Sequence, residues 1–353
     1  VWEIFGALLK GVKVVILPHS KYVNPQEIIG FLHETEVTRI ILVPSLLITL
    51  LNTDSNLGKT LPALKIWTVS GERLTQNLLQ KFRASVPKGI LLNLYGSTEV
   101  AGDVTWAEFA SNVENLESDV PIGKPIPNAE IHILDKNLQP VSPGEVGELW
   151  IGGVVLARGY HKKPQETKVK FVPNPLSGKG LLFKTGDLVT RNNNGVLYYI
   201  GRTDNQVKIR GFRVELEEIE KVLAQFHPEI SNVTVIVQEN KEAPETKQLV
   251  AFVVPSTINI DAMKQYALSK LPNYMIPVKF IAIDKLPLTP SGKVDRQALS
   301  GMIGWRFRVI DSQNLPQTET EKLLAKIWQQ MFLVSPIGRD DDFFNLGGES
   351  LSV

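Results

Sequence analysis

Several short polar segments of this chain have residues typical of binding and catalytic sites. Residues 93–99 (NLYGSTE) follow an apolar run typical of a strand and end in a carboxylate. A polar loop in that position lies at the carboxyl edge of a sheet, where α/β proteins bind ligands. Residues 183–187 (FKTGD) place another carboxylate, Asp187, after a glycine turn. That carboxylate is suited to accept two hydrogen bonds from the hydroxyls of a ribose.

A lysine lies in a loop near the C-terminal third of the chain. Residues 286–296 (LPLTPSGKVDR) present Lys293 on a loop that Pro287 and Pro290 make rigid and that Gly292 makes mobile. A positioned ammonium group stabilises negative charge that develops on a phosphate or on an attacking carboxylate oxygen. The segment therefore predicts electrostatic catalysis by Lys293.

A serine follows two glycines close to the end of the sequence. Residues 341–351 (DDFFNLGGESL) place Ser350 at the expected start of a helix. A serine there can cap the helix, and its hydroxyl can also be presented for covalent modification.

Residues 201–215 (GRTDNQVKIRGFRVE) predict a connection between two compact halves. The segment is typical of a strand end, a tight polar turn and a basic strand, followed by a helical pattern at 216–226. Residues that tolerate unusual backbone angles are expected at Gly201, Asp204, Asn205 and Gly211.

Periodicity divides the chain into regions of different fold class. The first is predicted to form parallel α/β layers, with strands at 12–17, 40–43, 66–70 and 90–94 and helices at 25–35 and 75–85. Strands with Gly, Pro and Asn turns over 131–200 indicate an antiparallel subdomain. A small α+β module follows, with strands at 232–237, 249–254 and 279–284 and helices at 216–226 and 261–269. Residues 318–332 predict a further helix with an apolar face formed by Leu323, Leu324, Ile327 and Trp328.

Composition excludes several classes of function. The 353 residues are 43% hydrophobic, which allows at least one sizeable core and two or three domains. A net charge of +1 from 38 basic and 37 acidic residues gives no general attraction to nucleic acids or anionic membranes. The absence of cysteine excludes disulfides, thiolate zinc sites and a cysteine nucleophile. Without a membrane-length apolar run, the expected location is cytoplasmic.

Together, and in this order, the segments resemble the adenylate-forming (AMP-binding) superfamily. This superfamily includes acyl-CoA synthetases, luciferases and the adenylation domains of nonribosomal peptide synthetases. The resemblance to adenylation domains covers roughly residues 1–296, and residues 318–353 resemble the start of a peptidyl carrier domain. It implies an α/β fold with part of a large N-terminal domain of layered sheets and helices, a small mobile α+β domain, and the start of a helical carrier domain. The predicted boundaries are 1–204, 205–299, a linker at 300–316, and 317–353.

The resemblance also assigns roles to individual residues. Thr98 would contact phosphate, Glu99 would bind Mg²⁺, and Lys293 would catalyse adenylate formation, while Asp204 would be the hinge. The nucleotide, ATP or AMP, would be bound by Gly71, Asn93, Tyr95, Gly96, Asp187, Tyr199, Arg202 and Lys208. Ser350 would carry 4′-phosphopantetheine.

The implied reaction converts ATP and an amino acid to aminoacyl-AMP and pyrophosphate. Rotation at Asp204 would then move Lys293 away and bring the side of the small domain that contains Lys208 toward the nucleotide. A pantetheine thiol on Ser350 could then attack the adenylate. The expected partners are an amino-acid substrate, a carrier domain in the same chain and other synthetase modules, with no nucleic acid and no membrane.

The motif alignment also predicts a substrate pocket, formed by Trp2, Ile41, Thr68, Ser70, Leu94, Gly102 and Asp103. Asp103 is its only fixed charge. This set resembles pockets that accept β-amino acids, β-alanine especially. A basic side chain such as that of ornithine or lysine is the other partner that Asp103 could have, because one charge fixes the sign of its partner and not its distance.

Two other functions remain open from the sequence. A free-standing acyl-CoA ligase would share Glu99, Asp187 and Lys293, and a non-catalytic scaffold module would keep the fold alone. The chain starts at Val1 in an apolar pattern without the glycine-rich phosphate loop, so we expect a fragment that is nearly inactive when isolated and prone to aggregation.

Overall fold

The fold is described by a computed structural model of the chain. The described residues are 2–22, 24–110, 119–204, 206–209, 211–239, 247–289, 293–302, 306–307, 314–332, 334–335, 337–341 and 343. The chain divides into two compact units, Val1–Arg213 and Val214–Val353.

The first unit contains seven helices and eleven complete strands within the described residues. The helices are α1 (Trp2–Leu8), α2 (His19–Tyr22), α3 (Pro25–Glu34), α4 (Pro44–Thr53), α5 (Leu57–Thr60), α6 (Gln76–Ser85) and α7 (Pro164–Lys170), with a 3₁₀ helix at Thr98–Val100. The strands are β1 (Arg39–Leu42), β2 (Ile66–Val69), β3 (Ile90–Ser97), β4 (Gly102–Phe109), β5 (Lys124–Pro125), β6 (Ala129–Leu134), β7 (Val146–Gly153), β8 (Phe171–Pro173), β9 (Leu181–Arg191), β10 (Leu197–Arg202) and β11 (Gln206–Ile209).

The first sheet has the order β1-β2-β3-β4-β5. Strands β1, β2 and β3 are parallel, and β4 turns back antiparallel to β3. Helices α3 and α6 begin at side-chain caps, Asn24 and Thr75, whose oxygens accept backbone N–H groups of the first turn. Their apolar faces pack with α4 around Trp67 in a core that covers the sheet. The expected parallel α/β layers are therefore present.

The second sheet is antiparallel, as the turn-rich region 131–200 predicts. Its order is β10-β9-β7-β6, with β8 paired to β9. Leu149, Phe183 and Val189 lie in its core and are almost completely buried. The two sheets thus place residues 93–99, at the end of β3, and residues 183–187, inside β9, within one unit.

The second unit is an α+β module. Its complete elements are α8 (Leu216–Ala224), α9 (Ile260–Lys270), α10 (Arg296–Gly301) and α11 (Glu319–Phe332), a 3₁₀ helix at Asn273–Met275, and strands β13 (Asn232–Glu239), β14 (Lys247–Val254), β15 (Lys279–Ala282), β16 (Arg306–Phe307) and β17 (Val334–Ser335). Strand β12 (Phe212–Glu215) pairs with β11 and contains the division between the units. In the sheet β13-β14-β15, the first pair is antiparallel and the second parallel.

Three local predictions were wrong. Residues 12–17 form no strand, and Val12 and Ile16 are 54% and 82% exposed, since no neighbouring strand in the described part of the chain pairs with them. Gly211 has a positive φ of 78°. Gly201, where the register of β10 with β9 shifts, and Asp204, in the bend after β10, do not have a positive φ, and Asn205 lies outside the described residues.

Helix α11 confirms the prediction at 318–332, but its expected apolar face is not buried within the described residues. Leu323, Leu324 and Ile327 are exposed. The helix instead buries Ala325 and packs Trp328 against Phe343, with ring centroids 5.2 Å apart. None of the helices in the described part of the chain combines the length and apolar character needed to cross a membrane.

Candidate active site

The predicted phosphate loop lies where β3 meets β4. Gly96 pairs with Asp103, and a Cβ atom built on Gly96 would be 1.9 Å from the carbonyl oxygen of Gly102. A side chain at this position is therefore excluded by backbone. The chain then forms a 3₁₀ turn in which Thr98 is exposed and Glu99 is buried, and it leaves that turn through Ala101 in the left-handed region.

Tyr95, Asp187 and Arg202 form a hydrogen-bonded cluster from three strands. The Tyr95 hydroxyl donates to Oδ2 of Asp187, and an Arg202 guanidinium nitrogen donates to Oδ1 at 2.5 Å. Arg202 also donates to both carboxylate oxygens of Asp204, at 2.6 and 2.8 Å. The structure thus brings four predicted residues together, and Asp204, the predicted hinge, is fixed by a bidentate contact.

Burial, together with the charge of Asp187, keeps the phenols of Tyr95 and Tyr199 neutral. Burial, followed by the charge of Asp187, raises the pKa of Tyr95 well above its usual value. The same two causes raise the pKa of Tyr199 to about 12. Burial lowers the pKa of Arg202, but its hydrogen bond to Asp204 and the charge of Asp187 outweigh this effect and raise it overall. Each phenol is therefore a hydrogen-bond donor at neutral pH.

Glu99 is a buried carboxylate that uses only one of its oxygens. Oε1 accepts the Tyr160 hydroxyl at 2.7 Å and an Arg213 nitrogen at 2.5 Å, whereas Oε2 is buried without a hydrogen-bond partner. Burial raises the pKa of Glu99, but Tyr160 and Arg213 outweigh it, and the pKa lies below its usual value. Glu99 is therefore ionised at neutral pH and has one oxygen available to a cation.

This arrangement fits Mg²⁺ bound together with a nucleotide. Mg²⁺ prefers oxygen ligands and is commonly held by one or two carboxylates, substrate phosphates and waters. Within the described ranges no group of three or more His, Cys, Asp or Glu side chains is placed to hold a metal ion. The donor set of the protein therefore fits an ion whose remaining ligands come from substrate and water.

The basic segment before β12 also reaches this site. Nζ of Lys208 donates to the carbonyl oxygen of Gly96 at 3.4 Å. Burial lowers the pKa of Lys208, and the charge of Asp187 partly opposes this shift. Further along the segment, the N–H of Gly211 donates to Glu72 at 2.7 Å.

Residues of the predicted substrate pocket lie along the carboxyl ends of the parallel strands. Ile41 and Thr68 are register partners on β1 and β2, and the Ser70 hydroxyl donates to Asp103 at 2.6 Å. Leu94 is on β3, and Gly102 begins β4 with φ 101°. Trp2 is in α1, and its side chain lies outside the described residues.

Some predicted residues have structural surroundings of their own. Asn93 is buried and donates to the carbonyl oxygen of Pro121 at 2.9 Å, and Gly71 adopts φ 89°. Lys293 is exposed in the second unit, where its carbonyl oxygen accepts the N–H of Thr289 at 2.7 Å. Ser350 lies outside the described residues.

Sequence reasoning missed three side chains of the site: Glu72, Tyr160 and Arg213. Tyr160 ends the segment 147–160 (GELWIGGVVLARGY), whose pattern indicates a mainly structural role, and Arg213 lies within the basic segment already noted. Both are polar residues close to glycine turns, and this feature of the sequence is only a weak indication of a role in a site. Their contact with Glu99 spans 61 and 114 residues of sequence, so only the fold reveals it.

The Glu99 interactions predict a pH-dependent effect on stability. We expect Glu99→Gln to lower the free energy of unfolding by about 1.5–3 kcal/mol at pH 7, because charge-assisted hydrogen bonds are lost. The native pKa lies below the unfolded value of about 4.3, so the contribution is present above that pH and is lost as pH falls through the native pKa. Urea unfolding at pH 7 and pH 3.5 should show a smaller difference at pH 3.5. Glu145→Gln, which alters an exposed turn carboxylate, is the control, and an equal difference at both pH values would contradict the expectation.

Comparison with known proteins agrees with this geometry. Residues 1–161 match the sequence profile of the AMP-binding enzyme family, and residues 218–293 match that of the AMP-binding enzyme C-terminal domain. The chain is 37% identical over 359 aligned residues to a dimodular nonribosomal peptide synthase of Bacillus subtilis (strain 168), covering 99% of this chain and 15% of that protein. It therefore spans only a small part of that relative's length.

Two solved structures have the same fold. One is holo-PA1221, a nonribosomal peptide synthetase protein with adenylation and PCP domains, at a TM-score of 0.79 and 28% identity over 99% of this chain and 57% of that chain. The other is the Vibrio cholerae adenylation domain AlmE in complex with glycyl-adenosine-5′-phosphate, at a TM-score of 0.73 and 26% identity over 86% of this chain and 56% of that chain. With both profiles matched in order, the chain belongs to the AMP-binding, or adenylate-forming, enzyme family.

Proposed function

We propose that this chain is part of an enzyme that adenylates an amino acid for nonribosomal peptide synthesis. The observation that carries the proposal is Glu99, an ionised carboxylate with one unpartnered buried oxygen at the end of β3. The Tyr95–Asp187–Arg202 cluster in the same unit supports it. The adenylation domains and peptide synthase among its relatives support an amino acid as the substrate.

In the proposed first half-reaction, a carboxylate oxygen of the amino acid attacks the α-phosphorus of ATP. The bond to pyrophosphate breaks, and aminoacyl-AMP forms. Tyr95, Asp187, Tyr199 and Arg202 would hold the nucleoside, with Gly71, Asn93 and Gly96 shaping the backbone around it. Mg²⁺ held by Glu99 would neutralise phosphate charge. Thr98 would contact phosphate, and the ammonium group of Lys293 would stabilise charge on the α-phosphate and the attacking oxygen.

In the proposed second half-reaction, a thiol attacks the acyl carbon and AMP leaves. The thiol would belong to 4′-phosphopantetheine on Ser350, so that the carrier domain is a partner in the same chain and the loaded amino acid passes to other synthetase modules. Asp204 would be the hinge between the two half-reactions. The likeness to a protein with adenylation and PCP domains over 99% of this chain supports this step.

For the substrate we favour a β-amino acid such as β-alanine. Asp103 lies at the start of β4, where Ser70 donates to one of its oxygens. A carboxylate at this position would bind an ammonium group that is attached to a carbon other than the α-carbon. Pairing in a desolvated pocket is selective, because the wrong substrate leaves the charge without its partner. A basic side chain, as in ornithine, is the competing partner.

We expect Asp103→Asn to reduce activity with the preferred substrate by about ten- to a hundredfold, since a hydrogen bond between charged groups is lost. The measurement is ATP–pyrophosphate exchange of the full-length protein with β-alanine, α-alanine and ornithine. Thr105→Ser, which removes a methyl group from a buried residue of the same strand and keeps its hydroxyl, is the control. A preference for α-alanine, or no response to Asp103→Asn, would rule out the β-amino acid.

The same exchange assay tests the proposed function as a whole. Exchange that depends on one amino acid supports adenylation. A carboxylic acid converted to its CoA thioester without any amino-acid dependence would instead identify an acyl-CoA ligase. The absence of exchange with every substrate in the panel would identify a non-catalytic module.

A further inference from the structure

Glu72 lies just beyond β2 and joins two separate parts of the first unit through its carboxylate. Oε1 accepts the N–H of Gly211 at 2.7 Å, and Oε2 accepts the N–H of Ser45 at 2.9 Å. Both oxygens therefore receive a backbone donor, and the two donors are 166 residues apart in the sequence, at positions 45 and 211.

One of these contacts fixes Glu72 to a rigid element. Helix α4 begins at Pro44, and its N-cap residue, Val43, provides no side-chain acceptor. The N–H of Ser45 is one of the first four helical donors, which have no partner inside the helix. Glu72 satisfies it, and its negative charge is favourable at the positive end of the helix dipole.

The other contact, to Gly211, brings the backbone of Gly211 very close to the side chain of Val43. Gly211 has φ 78°, and a Cβ atom built on it would lie 2.6 Å from Cγ1 of Val43. A Cβ atom built on Gly71 would lie 3.7 Å from Cα of Gly211. The turn at Gly211 is thus seated directly against the segment that contains Val43, and only glycine fits without a shift.

In the sequence, Gly211 lies between Lys208 and Arg213, and both of these side chains contact the candidate active site. Lys208, three residues earlier, donates to Gly96, and Arg213, two residues later, donates to Glu99. The Gly211 turn therefore sets where both cations are placed.

We propose that Glu72 is a positioning residue that holds residues 206–209 and 211–213 at the active site for the second half-reaction. In this arrangement Lys208 reaches the site, as the proposed rotation at Asp204 would require for the second half-reaction. Arg213 binds Oε1 of Glu99 and leaves Oε2 without a hydrogen-bond partner. This inference rests on the proposed adenylation and transfer reactions, but its structural part can be tested without them.

The test is Glu72→Gln, which keeps the size of the side chain but offers only one acceptor oxygen to two N–H donors. Hydrogen–deuterium exchange of this chain should show about ten- to a hundredfold faster exchange at the Gly211 amide. In the full-length protein, transfer from preformed aminoacyl-AMP to the carrier should fall about tenfold or more in rate constant. ATP–pyrophosphate exchange should change less than about threefold.

Two further variants separate positioning from general destabilisation. Glu145→Gln makes the same change at an exposed carboxylate that accepts the N–H of Ser142, and it should leave both half-reactions unchanged. Gly211→Ala should reproduce the transfer defect, and adding Val43→Ala should partly restore the transfer rate because the contact with Cγ1 is removed.

The outcomes are distinct. Unchanged exchange at the Gly211 amide overturns the anchoring role, and equal losses in both half-reactions assign Glu72 to helix stability alone. Failure of the wild-type protein to exchange pyrophosphate with any amino acid refutes the proposed function, while the Gly211 measurement still decides whether Glu72 anchors the turn.

Discussion

Replacing Lys293 with alanine should reduce adenylate formation by about 10²–10³, because one preorganised charge at a transition state contributes about 3–4 kcal/mol. The backbone around Lys293 is fixed by a bridge between Leu288 and Val294, while its side chain is exposed. The ammonium group can therefore be presented to a substrate. Transfer from preformed aminoacyl-AMP should remain largely intact. The negative charge that Lys293 would stabilise develops on the α-phosphate during adenylate formation, which is already complete at that stage.

The measurement compares ATP–pyrophosphate exchange with single-turnover transfer in the full-length protein. Lys285→Ala is the matched control, because Lys285 is also an exposed lysine of the second unit. It should leave both rates unchanged. If Lys293→Ala lowered the rates of both half-reactions equally, Lys293 would have a structural role, or the rotation at Asp204 would not occur.

Replacing Ser350 with alanine should abolish covalent loading of the carrier domain. A phosphopantetheine arm is attached through a serine hydroxyl, and alanine has no oxygen to accept it. Thioester formation in cis should then be undetectable, whereas ATP–pyrophosphate exchange should be unaffected because it needs no thiol.

Intact-protein mass spectrometry after treatment with a phosphopantetheinyl transferase and CoA measures the modification directly. Ser352→Ala is the control, since it removes a hydroxyl two residues away in the same segment. Attachment that persists in Ser350→Ala, or that is lost in Ser352→Ala, would place the modification elsewhere.

Local sequence pattern was enough to predict several elements of the fold. Strands β1, β2 and β3 and helices α3 and α6 follow from apolar periodicity, and the two helices begin at the capping residues Asn24 and Thr75. Helices α4 and α5, between β1 and β2, were not predicted. Periodicity failed at residues 12–17, because an apolar run forms a strand only where another strand pairs with it. Motif order also predicted Tyr95, Glu99, Asp187 and Arg202 as site residues, and all four lie in the first unit.

The hydrogen-bond partners of those residues could be found only from the tertiary structure. The Asp187 carboxylate is already bound by Tyr95, 92 residues earlier, and by Arg202, 15 residues later. The sequence contains no sign that Tyr160 and Arg213 share one oxygen of Glu99, or that Glu72 holds Gly211 from 139 residues away. These contacts arise because separate strand ends and turns converge, and a hydrogen bond depends on the distance between atoms in space rather than on their separation along the chain.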